Sequence, residues 1–260
     1  MKALFFDIDG TLIDIKTHSI PESTTAALRR AKALGHRIFI ATGRSHTIVE
    51  LPGLPPEVVD GYVTLNGAVS LVDGSPVSLA PIPSRTVRAL ADLCIARNYT
   101  CLFITLEGMR VANSNRQFVQ GFQEYFGLAP IAETDFASMM DRDIYQMTVF
   151  FSEAEERELK PGFPDLEFNR WFPTFADITA KGVDKARGIE DMSRHFGIDL
   201  ADTVAFGDGG NDIPMLRRAG IGVAMGNASD DVKANADHVT AAVDDDGILK
   251  AMTALGIIYT

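Results

Sequence analysis

From Ala3 to Phe6 the chain is apolar without interruption, and it then meets Asp7. A continuous run of this kind, as opposed to an alternating one, fits a strand covered on both faces of a parallel sheet. Pro21 to Leu34 has the punctuation of a helix, with Pro21 in the first turn and Gly35 just past the end. Arg37 to Thr42 (RIFIAT) is a second buried strand, and it stops at Thr42-Gly43-Arg44. Strand, helix and strand in that order imply a parallel pair joined by a right-handed crossover.

The last third repeats the grammar. Residues 184–196 are predicted helical, and Thr203 to Phe206 is an apolar strand halted by Gly207-Asp208. A helix over 211–218, a strand over 221–225, a helix over 230–235, a strand over 238–240 and a helix over 247–255 follow. Alternation of this kind predicts a doubly wound sheet.

The middle reads differently. Residues 62–80 contain strand pairs with a turn at Asp73-Gly74, and Val87, Leu90, Ala91 and Cys94 recur at helical spacing. Residues 101–106 and 109–112 form a hairpin around Glu107-Gly108, residues 144–151 a strand, and residues 168–179 two more. Phe118, Phe122 and Phe126 stand four apart and predict one apolar helix stripe facing a core. The expected architecture is an α/β protein with a doubly wound, Rossmann-like parallel-sheet core and an inserted α+β cap. The core covers residues 1–81 and 182–260 and the cap residues 82–181.

Composition narrows the partners. The chain has 260 residues, 46% of them hydrophobic, which is enough for two modest domains with proper cores. A net charge of −11 argues against nucleic acid as the main partner. No apolar run reaches the ~18 residues of a membrane span, and the N-terminus lacks a signal-peptide pattern. A cytoplasmic location with no membrane association is expected, and no feature calls for an obligate protein partner. Cys94 and Cys101 match no redox or zinc spacing and read as buried thiols. The five histidines fall in no metal-binding pattern.

The chemistry gathers where strands end. In an open α/β sheet ligands sit beyond the carboxyl ends of the strands. Three strands there end in Asp7-Ile8-Asp9-Gly10-Thr11, Thr42-Gly43-Arg44 and Gly207-Asp208-Gly209-Gly210-Asn211-Asp212. Asp7, Asp9 and Asp208 should therefore meet, and carboxylates so close repel unless a cation joins them. Oxygen ligands without histidine or thiolate point to Mg²⁺. Gly10, Gly43, Gly209 and Gly210 leave room for backbone N–H groups to approach an anion.

These motifs, with Lys185, resemble the haloacid dehalogenase superfamily, and more narrowly its Cof-type phosphatases, in which a cap separates the second and third motifs. Thr64-Leu65-Asn66-Gly67-Ala68 and Gly222-Val223-Ala224-Met225-Gly226-Asn227 also match that subfamily, so the resemblance spans the chain. It looks most similar to the bacterial sugar-phosphate phosphatases of the group. The resemblance implies that Asp7 attacks phosphorus and that Asp9 protonates the leaving group and lends its backbone carbonyl to the metal. It implies a metal set of Asp7, Asp9 and Asp208, with Thr42 and Lys185 acting on the phosphoryl group. Ile8, Gly43, Arg44, Asn66 and Asn211 are carried over as substrate contacts.

Alternatives stay open. Lys181 rivals Lys185, and Ala186 stands where the family commonly has glycine. Asp212 is either a metal-orienting group or a helix-dipole charge. Asp244-Asp245-Asp246 is most simply an acidic helix start. Glu107, Arg110, Asn113, Arg170 and Trp171 carry suitable groups for sugar contacts, although isolated polar residues are usually just solvated. The expected activity is Mg²⁺-dependent hydrolysis of a small sugar phosphate, hexose or pentose, through an aspartyl phosphate. The competing readings are a phosphatase of a flavin precursor, pyridoxal phosphate or a nucleotide, a sugar phosphotransferase, and a sensor that binds without turnover.

Overall fold

The computed structural model describes residues 1–259, with all their side chains except those of Tyr125, Phe126 and Trp171. It divides into two compact units, residues 1–78 with 184–260, and residues 79–183. The crossings lie two or three residues from the 81/82 and 181/182 expected from sequence. Ile82 packs in the hydrophobic cluster of the inserted unit and donates its N–H to Ile144, and Lys181 donates to Asp165 of the same unit.

The first unit opens with β1 (Ala3–Phe6), α1 (Glu22–Ala33), β2 (Arg37–Ala41), β3 (Gly61–Thr64), β4 (Val69–Val72) and β5 (Ser75–Leu79). The inserted unit carries α2 (Ser84–Arg97), β6 (Cys101–Thr105), β7 (Gly108–Ala112), α3 (Arg116–Phe126), β8 (Ala132–Glu133) and α4 (Phe136–Met139). It continues through β9 (Gln146–Phe150), α5 (Glu153–Leu159), β10 (Leu166–Phe172) and β11 (Phe175–Ala180). The chain then returns to the first unit with α6 (Lys185–Phe196), β12 (Thr203–Gly207), α7 (Ile213–Arg218), β13 (Ile221–Ala224), α8 (Asp230–Lys233), β14 (His238–Val239) and α9 (Gly247–Ala254).

The core sheet has the order β14-β13-β12-β1-β2-β3-β4-β5. It is parallel from β14 to β3, and β4 runs antiparallel to β3. The turn into β5 is the expected one: Asp73 and Gly74 both have positive φ, the geometry of a tight hairpin. Alternate side chains of the central strands feed two layers, which is why these strands read as unbroken apolar runs. Leu4, Phe6, Ile38, Ile40, Val204 and Phe206 face one layer with Leu28 of α1 and Met252 of α9. Ala3, Phe5, Phe39, Val63 and Ala205 face the other with Ile189 and Met192 of α6 and Leu216 of α7. Phe6 stacks on Phe206 with ring centroids 4.6 Å apart, and Phe5 on Phe39 at 4.8 Å.

The chain runs from β1 outward through β2 and β3, then returns to the other side of β1 as β12. The carboxyl ends of β1 and β12 therefore flank the point where strand order reverses, the position at which such sheets bind ligands.

The inserted unit is a sheet of order β10-β11-β9-β6-β7-β8. One face packs on Val87, Leu90 and Cys94 of α2 and Met139 of α4. The expected stripe on α3 is less deeply set. Phe118 stacks on Phe150 and Phe122 meets Phe150 and Phe175 edge-on, yet Phe118 keeps 39% of its surface exposed. The side chain of Phe126, the third of that stripe, lies outside the described ones. Cys94 and Cys101 are buried free thiols.

Candidate active site

Asp7 follows β1 directly and donates its N–H to the carbonyl of Phe206 on β12, so the parallel register carries it to the turn after that strand. The chain then doubles back tightly: the Ile8 carbonyl accepts the N–H groups of Leu12 and Ile13. Gly10 turns the corner at φ +85°, and a Cβ there would lie 2.2 Å from an oxygen of Asp208. Glycine is needed on both counts.

Asp7, Asp208 and Asp212 each place a carboxylate oxygen within 4.8 Å of the others. Lys185, the first residue of α6, enters the same space and is fully buried. Its ammonium donates to Asp7 Oδ1 and to Asp212 Oδ1, each at 2.5 Å. The other oxygen of Asp212 accepts the N–H groups of Asp208 at 3.0 Å and Gly209 at 2.9 Å. Asp212 thus holds both the turn that presents Asp208 and the lysine. The rival Lys181 is exposed.

Burial pushes the Asp7 carboxyl well up, the Asp212 charge adds to this, and Lys185 opposes it. Burial likewise pushes Asp208 up to about 6, against the Thr11 hydroxyl that donates to it at 2.8 Å. For Lys185 burial opposes the charge, but the Asp212 and Asp7 carboxylates outweigh it and raise the ammonium above its ordinary value. Three carboxylates against one ammonium leave an excess negative charge in a place that disfavours it. The donors are all hard oxygens, and that set fits a small divalent cation.

Asp9 stands apart from this cluster. Its carboxylate is half exposed and is held in a two-pronged pair by Arg44, with Nε at 2.9 Å from Oδ2 and Nη2 at 2.5 Å from Oδ1. Arg44 therefore engages the second aspartate of the motif. Thr42 is buried, and its hydroxyl oxygen accepts the Arg44 N–H at 3.1 Å. Asn66 sits at φ 52° in a left-handed turn, and its side-chain oxygen accepts from Asn211 at 3.0 Å. A Cβ at Gly43 would stand 3.2 Å from that Asn66 amide, so Gly43, Asn66 and Asn211 form one group. Ile8 is fully buried in the apolar layer beneath. Sequence reasoning left Asn227 without a role, yet its amide reaches Asp208 and the Gly10 carbonyl.

Among the candidates on the inserted unit, Arg170 is structural. It pairs with Glu156 at 2.5 Å and donates to the carbonyls of Phe151, Phe172 and Pro173. Asn113 is tied to Asn98 and the Tyr99 carbonyl. Glu107 lies on the surface 3.7 Å from Arg142, and Arg110 donates to the Met109 carbonyl beside it. The side chain of Trp171 is outside the described residues.

A parallel sheet that reverses its strand order at β1, with paired acids at that point and a buried lysine between them, defines a class of phosphoryl-handling α/β hydrolase. The chain belongs to the haloacid dehalogenase-like hydrolases, whose family model matches residues 4–252, and it is an enzyme of the phosphatase type. It is 33% identical over 258 residues to "Putative phosphatase YkrA" of Bacillus subtilis, covering 99% of this chain and 98% of that protein. Among solved structures it is similar to the HAD subclass IIB sugar phosphatase BT4131, with 46% identity and a TM-score of 0.89, covering 99% of this chain and all of that one. BT1666 of Bacteroides thetaiotaomicron, also a phosphatase of the superfamily, is 35% identical with a TM-score of 0.90, covering 99% of this chain and 96% of its own. Enzymes of this superfamily generally use a divalent metal, and the acidic cluster is compatible with one. Among the described residues no helix is long and apolar enough to cross a membrane.

Proposed function

We propose that the chain hydrolyses small sugar phosphates, hexose or pentose, in two steps through a phosphorylated Asp7, with Mg²⁺ as its cation. The observation that carries this reading is the state of Asp7. One oxygen takes the Lys185 ammonium, while the other has no hydrogen-bond partner among the described residues. That second oxygen attacks phosphorus, forming an O–P bond as the bond to the leaving oxygen breaks. Asp9 gives the leaving alkoxide its proton, then takes one from the water that cleaves the intermediate and releases phosphate. Lys185 favours the ionised form of Asp7 against the effect of burial and offsets charge on the phosphoryl oxygens, and the Thr42 hydroxyl and Gly43 N–H bind those oxygens. The backbone of Ile8, whose side chain is buried, and the side chains of Arg44, Asn66 and Asn211 complete the substrate contacts. Asp7, the Asp9 backbone carbonyl and Asp208 would hold Mg²⁺, which supplies charge neutralisation during phosphoryl transfer.

Phosphate release from a panel of hexose, pentose, nucleotide, flavin-precursor and pyridoxal phosphates, with Mg²⁺ or with EDTA, tests the reading. Turnover of the sugar phosphates, dependent on Mg²⁺, is expected. Asp7→Asn abolishes it, and Asp9→Asn slows both steps while Mg²⁺ binding persists. A near-wild-type rate in Asp7→Asn would remove the covalent route, and preference for a nucleotide or vitamin phosphate would remove the sugar assignment. Transfer to an added alcohol in competition with water would identify a phosphotransferase instead.

A further inference from the structure

The turn after β13 ends in Gly226-Asn227, and the side chain of Asn227 joins three separate loops. Its Nδ2 donates to the Gly10 carbonyl at 2.8 Å and to Asp208 Oδ2 at 3.2 Å, and its Oδ1 accepts the Val243 N–H at 3.1 Å. The backbone is drawn in to allow this. Gly226 donates to the Ala241 carbonyl, and a Cβ on Gly226 would lie 2.6 Å from the Ala242 nitrogen. Yet Asn227 itself is exposed and contributes nothing to either apolar layer. An exposed amide with partners on three loops is poorly explained by packing. It is well explained by the group it touches, because the other oxygen of Asp208 is held by Thr11.

We propose that Asn227 is a positioning residue for the metal site: it fixes the rotation of the Asp208 carboxylate and locks the Gly10 turn against it. With Thr11 on Oδ1 and Asn227 on Oδ2, Asp208 is held close to Asp7 before any cation arrives, so the ordering entropy is met by folding and not by binding. The inference rests on the metal-dependent reading above, and it adds a residue to which that reading gives no part.

Calorimetric titration of the metal-free full chain with Mg²⁺ alone tests it. Asn227→Ala is expected to weaken Mg²⁺ binding about 10- to 100-fold, the usual effect of losing a group that orients a ligand. The Mg²⁺-induced rise in Tm should shrink accordingly. In turnover, the Mg²⁺ concentration for half-maximal rate should rise by the same factor, with kcat at saturating Mg²⁺ much less changed. If the alanine variant is too unstable to titrate, Asn227→Leu fills similar space without donor or acceptor and carries the same expectation. A Mg²⁺ dissociation constant within about twofold of wild type, with Tm lowered, would make Asn227 merely structural and overturn the inference. Absence of Mg²⁺ binding by the wild-type chain would instead overturn the metal-dependent reading on which it stands.

Discussion

Lys185 is fully buried and carries its charge between two carboxylates. A charge in that position is tolerable only while its partners remain, because removing one member of a buried pair strands the others. Lys185→Met keeps much of the length and volume but leaves Asp7 and Asp212 facing each other. In the absence of divalent cation the variant should lose about 3–5 kcal/mol of stability, measured by urea unfolding in EDTA. Mg²⁺ should return a larger share of stability to the variant than it adds to the wild type, since the cation then meets a less compensated cluster. A loss under about 1 kcal/mol would mean that solvent reaches the site and screens the two carboxylates. Turnover should be abolished in either medium.

Residue by residue, what could be read in advance was the chemistry that sits beside a signal of local structure. Asp7, Asp208 and Lys185 stand at strand or helix ends, and the fold brings them together. Arg44 shows the limit. Its charge was visible, but its partner Asp9 lies 35 positions away, and only the fold says that the two meet. Asp212 is similar, since an acid in the first turn of a helix satisfies the dipole whether or not a lysine is waiting for it. Asn227 offered no signal beyond its motif, because a single amide after a glycine is ordinary turn chemistry.

At the scale of elements, the parallel core was legible because its strands are buried on both faces and its helices are punctuated. α6 shows this well: the Asp184 side chain accepts the Arg187 N–H at its start, and Gly197 closes it in the left-handed region. α5 was missed because its sequence, Glu-Ala-Glu-Glu-Arg-Glu-Leu, has no apolar stripe. A capping box from Ser152 and the Glu156–Arg170 pair hold it instead. α4 is one turn long, below the length at which a period can be recognised. The seat of α6 on the sheet depends on Gly188, where a Cβ would stand 2.1 Å from a methyl carbon of Val63 on β3. Gly188→Ala should therefore destabilise by about 1–3 kcal/mol despite the better helix propensity of alanine. Because Lys185 leads the same helix, kcat should fall as well. The double variant Gly188→Ala/Val63→Ala makes room for the added methyl. Its loss of stability should be smaller than the sum of the two single losses, a coupling that chemical denaturation reads directly.

For the whole molecule, the two ends of the chain are tied through one ring. His36 Nδ1 accepts the Lys2 N–H at 3.0 Å, and its Nε2 lies 3.1 Å from the Ile257 carbonyl. Both contacts are made when the ring is neutral, with its proton on Nε2 given to the carbonyl. Burial lowers the His36 pKa from 6.5, and the positive N-terminus and Lys2 lower it further, while the Ile257 carbonyl works the other way. The folded state thus binds the proton less readily than the unfolded chain does. Stability from this group is fully present above about pH 6.5 and is lost as pH falls through the folded value, which lies below it. Between pH 7.5 and pH 5 the raised Asp7 and Asp208 carboxyls work the other way, so the signature of His36 is a difference: the unfolding midpoint of the wild type should fall more, or rise less, than that of His36→Gln, which has no ring to protonate. Identical slopes for the two proteins would mean that His36 titrates as it does in the unfolded chain. The acid sensitivity of the fold would then have to come from carboxylates such as Asp60. That residue is held below its ordinary value by Lys32, the Ile38 N–H and Arg37 against the opposing effect of burial, and its contribution fades only as pH falls further, toward 3.8 and below.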